Sequence, residues 1–116
     1  MRALIVDDEE DIGLMVSRFL RNEGLDVDYV NTIGSARKMI RNEDYKVYFL
    51  DLKLPDGTGF DLVSDIKKQE NQPKVIVISA YDGANETRKA NDIGVDAFIK
   101  KPFSKHEIIN TIRNMI

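Results

Sequence analysis

The 116-residue chain contains no cysteine, which excludes disulfide scaffolds, thiolate zinc clusters and thiol nucleophiles together. It agrees with a reducing compartment, and a cytoplasmic location is the expectation. Histidine occurs once, at position 106, so imidazole-rich zinc or copper sites have no donors to draw on. No apolar run approaches the roughly 20 residues that cross a bilayer. The opening segment, with one Arg and four consecutive apolar residues before Asp7, is too short for a secretory signal. Neither sign of charge dominates: 17 Lys and Arg face 20 Asp and Glu, a net charge of -3. That balance argues against direct nucleic-acid binding as the main activity, and no membrane partner is expected.

What is present suits one packed domain over residues 1–116, large enough to bury roughly two-thirds of its unfolded surface without staples. A second ordinary domain does not fit, so if the function needs a separate output module, this chain is not expected to carry it. Ala3-Leu4-Ile5-Val6 is a short, wholly apolar run, which predicts a buried strand. From Ile12 the period changes: Ile12, Met15, Val16, Phe19 and Leu20 recur at helical spacing, and Gly24 is placed to end that helix. Leu25–Val30 alternates as a partly exposed or edge strand does, and Thr32–Asn42 is a second helix. Apolar runs at 47–50 and 75–78 predict two more buried strands, with a helix around Phe60–Ile66 between them. A weakly amphipathic helix over 84–93, a short strand over 95–99 and a last helix opened by Ser104 complete the pattern. Glu107, three residues after Ser104, makes a capping box. Strand and helix thus alternate five times, which predicts a doubly wound α/β sandwich with helices on both faces of a parallel sheet.

In such sheets the chemistry gathers where strands stop. The first strand ends in Asp7-Asp8, the third in Asp51, the fourth in Ser79, and the fifth runs on to Lys100-Lys101-Pro102. One strand-end acid is commonly a solvated residue or a helix cap. Three at one edge repel one another unless a cation intervenes, and carboxylate oxygens suit Mg²⁺ or Mn²⁺. A site with these acids, the Ser79 hydroxyl and the Lys101 ammonium has the parts for phosphoryl transfer, one aspartate acting as nucleophile. His106, in the last helix, reads as a surface residue.

Leu4-Ile5-Val6-Asp7-Asp8-Glu9, Asp51-Leu52-Lys53-Leu54-Pro55-Asp56-Gly57-Thr58-Gly59, Val77-Ile78-Ser79-Ala80 and Gly94-Val95-Asp96-Ala97-Phe98-Ile99-Lys100-Lys101-Pro102-Phe103 together resemble the motifs of the response-regulator receiver domain. The resemblance covers the whole chain. It implies a flavodoxin-like (βα)5 fold with strand order 2-1-3-4-5. It also implies Asp51 as phosphoacceptor, Asp7 and Asp8 with Asp51 and the backbone carbonyl of Lys53 as the Mg²⁺ site, and Lys101 as the ammonium beside the phosphoryl group. Ser79 and Phe98 become the switch pair that alters the face of the fourth helix, fifth strand and fifth helix. The Lys101–Pro102 peptide is expected to be cis. The implied partners are a histidine kinase or a histidine phosphotransfer protein, and a downstream target or output domain. The implied state is a monomer or a phosphorylation-promoted dimer, and the implied role a phosphoacceptor rather than an enzyme with an external substrate.

Gly57 and Gly59 fit a tight turn after Asp51. Against the receiver pattern Phe98 lacks the hydroxyl of the more frequent Tyr, and the resemblance implies that Tyr81 and Lys53 stand where access of water to the phosphoryl group is tuned. Ile12, Met15 and Val16 are expected to combine core and kinase-contact positions. Ala84, Lys89, Ala90, Lys105 and His106 are candidates for the output face. Three alternatives compete with this reading. A haloacid-dehalogenase phosphatase wants a second Asp where Lys53 stands. A nucleotide or flavin site wants a Gly-rich loop where Asp7-Asp8-Glu9-Glu10 stands. A degenerate receiver serving only as an interaction module would lack reactive groups that are all present here.

Overall fold

The computed structural model describes residues 1–80 and 83–115, without the side chain of Ala84. Five strands, β1 (Arg2–Val6), β2 (Asp26–Val30), β3 (Val47–Asp51), β4 (Lys74–Ser79) and β5 (Ala97–Lys100), form one sheet. Each follows the apolar or alternating run expected of it. The spatial order is β2-β1-β3-β4-β5 and every pairing is parallel. The helices α1 (Glu10–Asn22), α2 (Ile33–Asn42), α3 (Phe60–Lys67), α4 (Ala84–Asp92) and α5 (Lys105–Met115) alternate with the strands.

The period of two along each strand divides the core into two layers. Ala3 and Ile5 of β1, Phe49 of β3, and Ile76 and Ile78 of β4 face Val16 and Leu20 of α1 and Ile108 and Ile112 of α5. Leu4, Val6, Tyr48, Leu50 and Val75 point the other way, against Ile33 and Ala36 of α2 and Leu62, Val63 and Ile66 of α3. The central strands are therefore apolar on both faces, as their sequences require. β2 is an edge strand, and its residues beyond Val27 are only half-buried. Ala90, on the weak apolar stripe of the helix over 84–93, is buried, so the core reading of this residue holds and it is not an exposed output-face position.

Local chemistry ends the helices where expected. Gly24 adopts φ +91°, a conformation glycine takes without steric cost, and its N–H donates to the Arg21 carbonyl at 3.0 Å. Ser104 and Glu107 exchange backbone-to-side-chain bonds of 3.2 Å, the capping box of α5. β5 starts two residues later than its apolar run suggests. The carboxylate of Asp96 accepts from the Val75 amide and from Lys67 Nζ, both at 2.8 Å, and this ties Asp96 into the connection before the strand.

The segment after β3 is more ordered than its sequence indicates. Lys53–Leu54 pairs antiparallel with Gly57–Thr58, a ladder too short to leave a periodicity. A Cβ on Gly59 would lie 2.2 Å from the Asp51 carbonyl oxygen, so glycine alone lets the loop fold back under the end of β3. Asp56 reaches across to α2, accepting from the amides of Ile33 at 2.9 Å and Gly34 at 3.0 Å. Those two amides hold its carboxyl below the usual carboxylate range. Thr32 caps the same helix by accepting from the Ser35 amide at 3.1 Å.

Two outcomes follow for stability. Phe49→Ala removes a fully buried ring at the centre of the sheet and should cost about 3–5 kcal/mol in urea denaturation. Asp56, ionised more readily folded than unfolded, contributes stability that is complete above the unfolded pKa of about 3.9 and is lost as pH falls through the lower folded value. Thermal melts of wild type and Asp56→Asn should therefore differ most near neutral pH and converge in acid; a gap independent of pH would refute the role given to its charge.

Candidate functional site

Because all five strands are parallel, their C-terminal ends share one edge, and the polar residues that end the apolar runs meet there. Asp7 leaves β1, Asp51 closes β3, Ser79 closes β4, and Lys101 follows β5. Asp7, Asp51 and Ser79 are buried, an unusual position for acids unless they are compensated. The compensation is Lys101. Its Nζ lies 3.0 Å from Asp7 Oδ2, 3.3 Å from Asp51 Oδ2 and 2.8 Å from Glu9 Oε1. With its side chain only 10% exposed, this ammonium is shared by two buried acids and one exposed one.

One cation does not balance the cluster. Asp7, Asp8, Glu9 and Asp51 each place a carboxylate oxygen within 4.8 Å of the others. Burial, then the charge of Asp7, pushes the Asp51 carboxyl up to about 7, against the opposing pull of Lys101 and the Lys53 amide. Burial alone would lower Lys101, but its bonds to Glu9 and Asp7 and the charges of Asp7 and Asp51 outweigh it and the ammonium is held firmly protonated. An all-oxygen donor set with surplus negative charge matches a hard divalent cation, and this cluster is compatible with metal coordination.

The remaining groups fix geometry. The Glu9 amide donates to Asp7 Oδ1 at 2.8 Å, and the Lys53 amide donates to Asp51 Oδ1 at 3.3 Å. Lys101 N–H donates to the Ser79 carbonyl at 2.9 Å, joining the ends of β4 and β5. The Lys101–Pro102 peptide is cis. Phe98 is half-buried on β5, in register with Val77 of β4; its neighbours Ala97 and Ile99 pack into the α1 and α5 layer. A cavity of about 400 Å³ opens beside Lys101, lined by Glu9, Ile12, Met15, Ala80, Pro102 and Phe103.

The structure thus brings Asp7, Asp8, Asp51 and Lys101 into one cluster, with Ser79 at the end of the adjoining strand. Tyr81 and the side chain of Ala84 lie outside the described residues. Lys89 rests over the Phe60 ring at 4.9 Å, Lys105 over Phe19 at 5.8 Å, and His106 is exposed beside Asn110. Sequence reasoning missed Glu9 as a partner of Lys101. Its only signal was that it directly follows the Asp7-Asp8 pair. It also missed Tyr29, whose hydroxyl donates to the Asp7 carbonyl at 2.6 Å.

The comparisons with known proteins agree with this geometry. The family described as response regulator receiver domain matches residues 3–113. Among curated proteins, the response regulator SaeR of Staphylococcus aureus is 32% identical over 113 residues, covering 97% of this chain and 49% of that protein. The chain therefore spans about half the length of the curated relatives it matches. A CheY-like receiver domain protein of Methanospirillum hungatei superimposes with a TM-score of 0.92 at 30% identity, covering 98% of this chain and 91% of that one. The non-phosphorylated HemR receiver domain of Leptospira biflexa gives 0.89 at 33% identity, over 97% and 91%. With the sheet order, the strand-end acids and the shared lysine already in place, these matches show that the chain belongs to the response regulator receiver domain family of two-component signalling.

Proposed function

We propose that residues 1–116 act as one Mg²⁺-dependent phosphoacceptor domain in which Asp51 receives a phosphoryl group from a phosphohistidine. The observation that carries this reading is the buried Asp51 carboxylate, joined to Lys101 at 3.3 Å and surrounded by Asp7, Asp8 and Glu9. Family membership supports signalling through aspartate phosphorylation, and receiver domains are phosphoacceptors rather than enzymes acting on external substrates. The donor is a histidine kinase or a histidine phosphotransfer protein, and the cavity beside Lys101, with Ile12, Met15 and Phe103 on its walls, suits its approach.

In this reading Asp7, Asp8, Asp51 and the carbonyl of Lys53 hold Mg²⁺, with Mn²⁺ as an acceptable substitute. The ion supplies charge neutralisation for the phosphoryl oxygens. An Asp51 oxygen attacks phosphorus; the P–N bond breaks with its electron pair remaining on the donor imidazole, which keeps a proton and leaves neutral. Asp51 is anchored at the mouth of a buried strand, so little orientational freedom remains to be lost. Lys101 already faces Asp51 and pairs with a phosphoryl oxygen. Ser79 donates to another, and its movement lets Phe98 turn, changing the surface of α4, β5 and α5. That surface acts on a downstream target or output domain, as a monomer or as a phosphorylation-promoted dimer. The expected location is the cytoplasm.

Two experiments test the reading. Acetyl phosphate with Mg²⁺ should add one phosphoryl group, detected by intact-mass spectrometry, and beryllofluoride should shift amide signals near Ser79, Phe98 and Lys101. Asp51→Asn or chelation of the metal should abolish the labelling; equal labelling of the variant would defeat the assignment. The crowded charge makes a second prediction. Asp51→Asn removes a buried carboxylate that repels Asp7, so the metal-free variant should melt at a higher temperature than wild type. A lower melting temperature would show that the Lys101 pairing outweighs the repulsion.

A further inference from the structure

Tyr29 lies on the edge strand β2, paired in register with Ile5 of β1. Nothing in its alternating sequence context marks it as part of the strand-end chemistry. Its ring lies against α1 at Gly13. A Cβ built there would sit 2.2 Å from Tyr29 Cε1, so the missing side chain at Gly13 is the space the ring occupies. From that seat the hydroxyl donates to the Asp7 carbonyl oxygen at 2.6 Å. On the other side of Asp7, its amide donates to the Val30 carbonyl at 3.2 Å.

These two bonds act on different peptide planes. The Asp7 amide belongs to the plane shared with Val6, and the Asp7 carbonyl belongs to the plane shared with Asp8. A peptide plane is rigid, so fixing its carbonyl also fixes its amide and the direction of the next Cα. Both planes flanking Asp7 are therefore tied to β2, one by backbone and one by the Tyr29 hydroxyl. The second plane is the one that joins the two adjacent carboxylates at the end of β1. Asp7 itself is buried, so its carbonyl has little access to water as a replacement donor.

We infer that Tyr29 is a positioning residue for the acidic cluster: through the Asp7 carbonyl it holds the peptide from which the Asp7 and Asp8 carboxylates are presented to a divalent cation. This rests on the reading of that cluster as the Mg²⁺ site. A phenol of ordinary pKa, about 10, is protonated at neutral pH and so is a hydrogen-bond donor here. The pair has a stringent geometric requirement, because a side chain at position 13 would displace the ring that carries the hydroxyl.

The test is Tyr29→Phe, which keeps the ring in its seat and deletes the hydroxyl, compared with wild type and with Tyr45→Phe. The Tyr45 hydroxyl bonds Asp28 Oδ2 at 2.6 Å near the opposite, N-terminal ends of the strands, and controls for the loss of a tyrosine hydroxyl far from the cluster. Mg²⁺ affinity would be measured by calorimetry and by amide shifts of residues 7–10, and the rate of phosphorylation by acetyl phosphate as a function of Mg²⁺. Tyr29→Phe should raise the Mg²⁺ dissociation constant about tenfold. Its phosphorylation rate at saturating Mg²⁺ should remain within about twofold of wild type, and Tyr45→Phe should bind Mg²⁺ as wild type does. An unchanged affinity in Tyr29→Phe, or an equal loss in both variants, overturns the inference while leaving the phosphoacceptor site standing. Failure of the wild-type protein to bind Mg²⁺ removes that site, and the inference with it.

Discussion

The Lys101 ammonium, held between Asp7 and Asp51 at 3.0 and 3.3 Å, is the contact on which the functional edge depends. It joins the ends of β1, β3 and β5, strands separated in sequence by most of the chain. Two buried carboxylates placed this close would not both remain charged without it. Removing Lys101 would be much costlier than losing an exposed ion pair, because Asp7 and Asp51 would stay buried and uncompensated. The arrangement is also incomplete, since four carboxylates cluster here and Lys101 pairs with three of them. That surplus of negative charge is compatible with a cation at this edge, and in the proposed function the same lysine would then meet the phosphoryl group.

The sheet makes this possible by order alone. Parallel strands put every C-terminal end on one side, and the order β2-β1-β3-β4-β5 puts β1 and β3 side by side at its centre. Asp7 and Asp51 are therefore neighbours by topology, before any side-chain detail. Apolar residues on both faces of β1 and β3 bury those strands up to their last residues, and the burial carries the acids at their ends out of water. The cost of desolvating Asp51 is thus a consequence of the same packing that stabilises the fold.

Much of this was legible in the sequence because strands covered on both faces must be apolar throughout, so a polar residue at the end of such a run is conspicuous. Asp7, Asp51, Ser79 and Lys101 all carry that mark, and the Ser104–Glu107 box and Gly24 carry theirs. Other features lie in tertiary contacts that leave no local pattern. The ladder of Lys53–Leu54 with Gly57–Thr58 is two residues long, shorter than any periodicity. Val95 looks like the start of a strand until the Asp96 carboxylate is seen engaged with the Val75 amide and Lys67. Ala90 lies on the weak apolar stripe of a polar helix, too faint a pattern to separate core from output face, and it is buried. Tyr29 and Gly13 are unremarkable apart and meaningful only as a pair.

The tethers are distributed unevenly around the site, and that asymmetry bears on how a signal leaves it. On the β1 side, Asp7 is tied to β2 by Val30 and Tyr29, and the loop after Asp51 is bound to the start of α2 through Asp56. On the opposite side α4 is polar along most of its length and, among its described side chains, buries Ala90 alone. Elements with few buried apolar contacts are the ones that shift at least free-energy cost. In the proposed function a phosphoryl group on Asp51 would stand between a flank tied by these hydrogen bonds and a lightly packed helix on the other side. Ser79 and Phe98 lie on β4 and β5, the two strands next in order after β3. In the proposed function the charge event would therefore propagate toward α4, the side with fewer buried contacts.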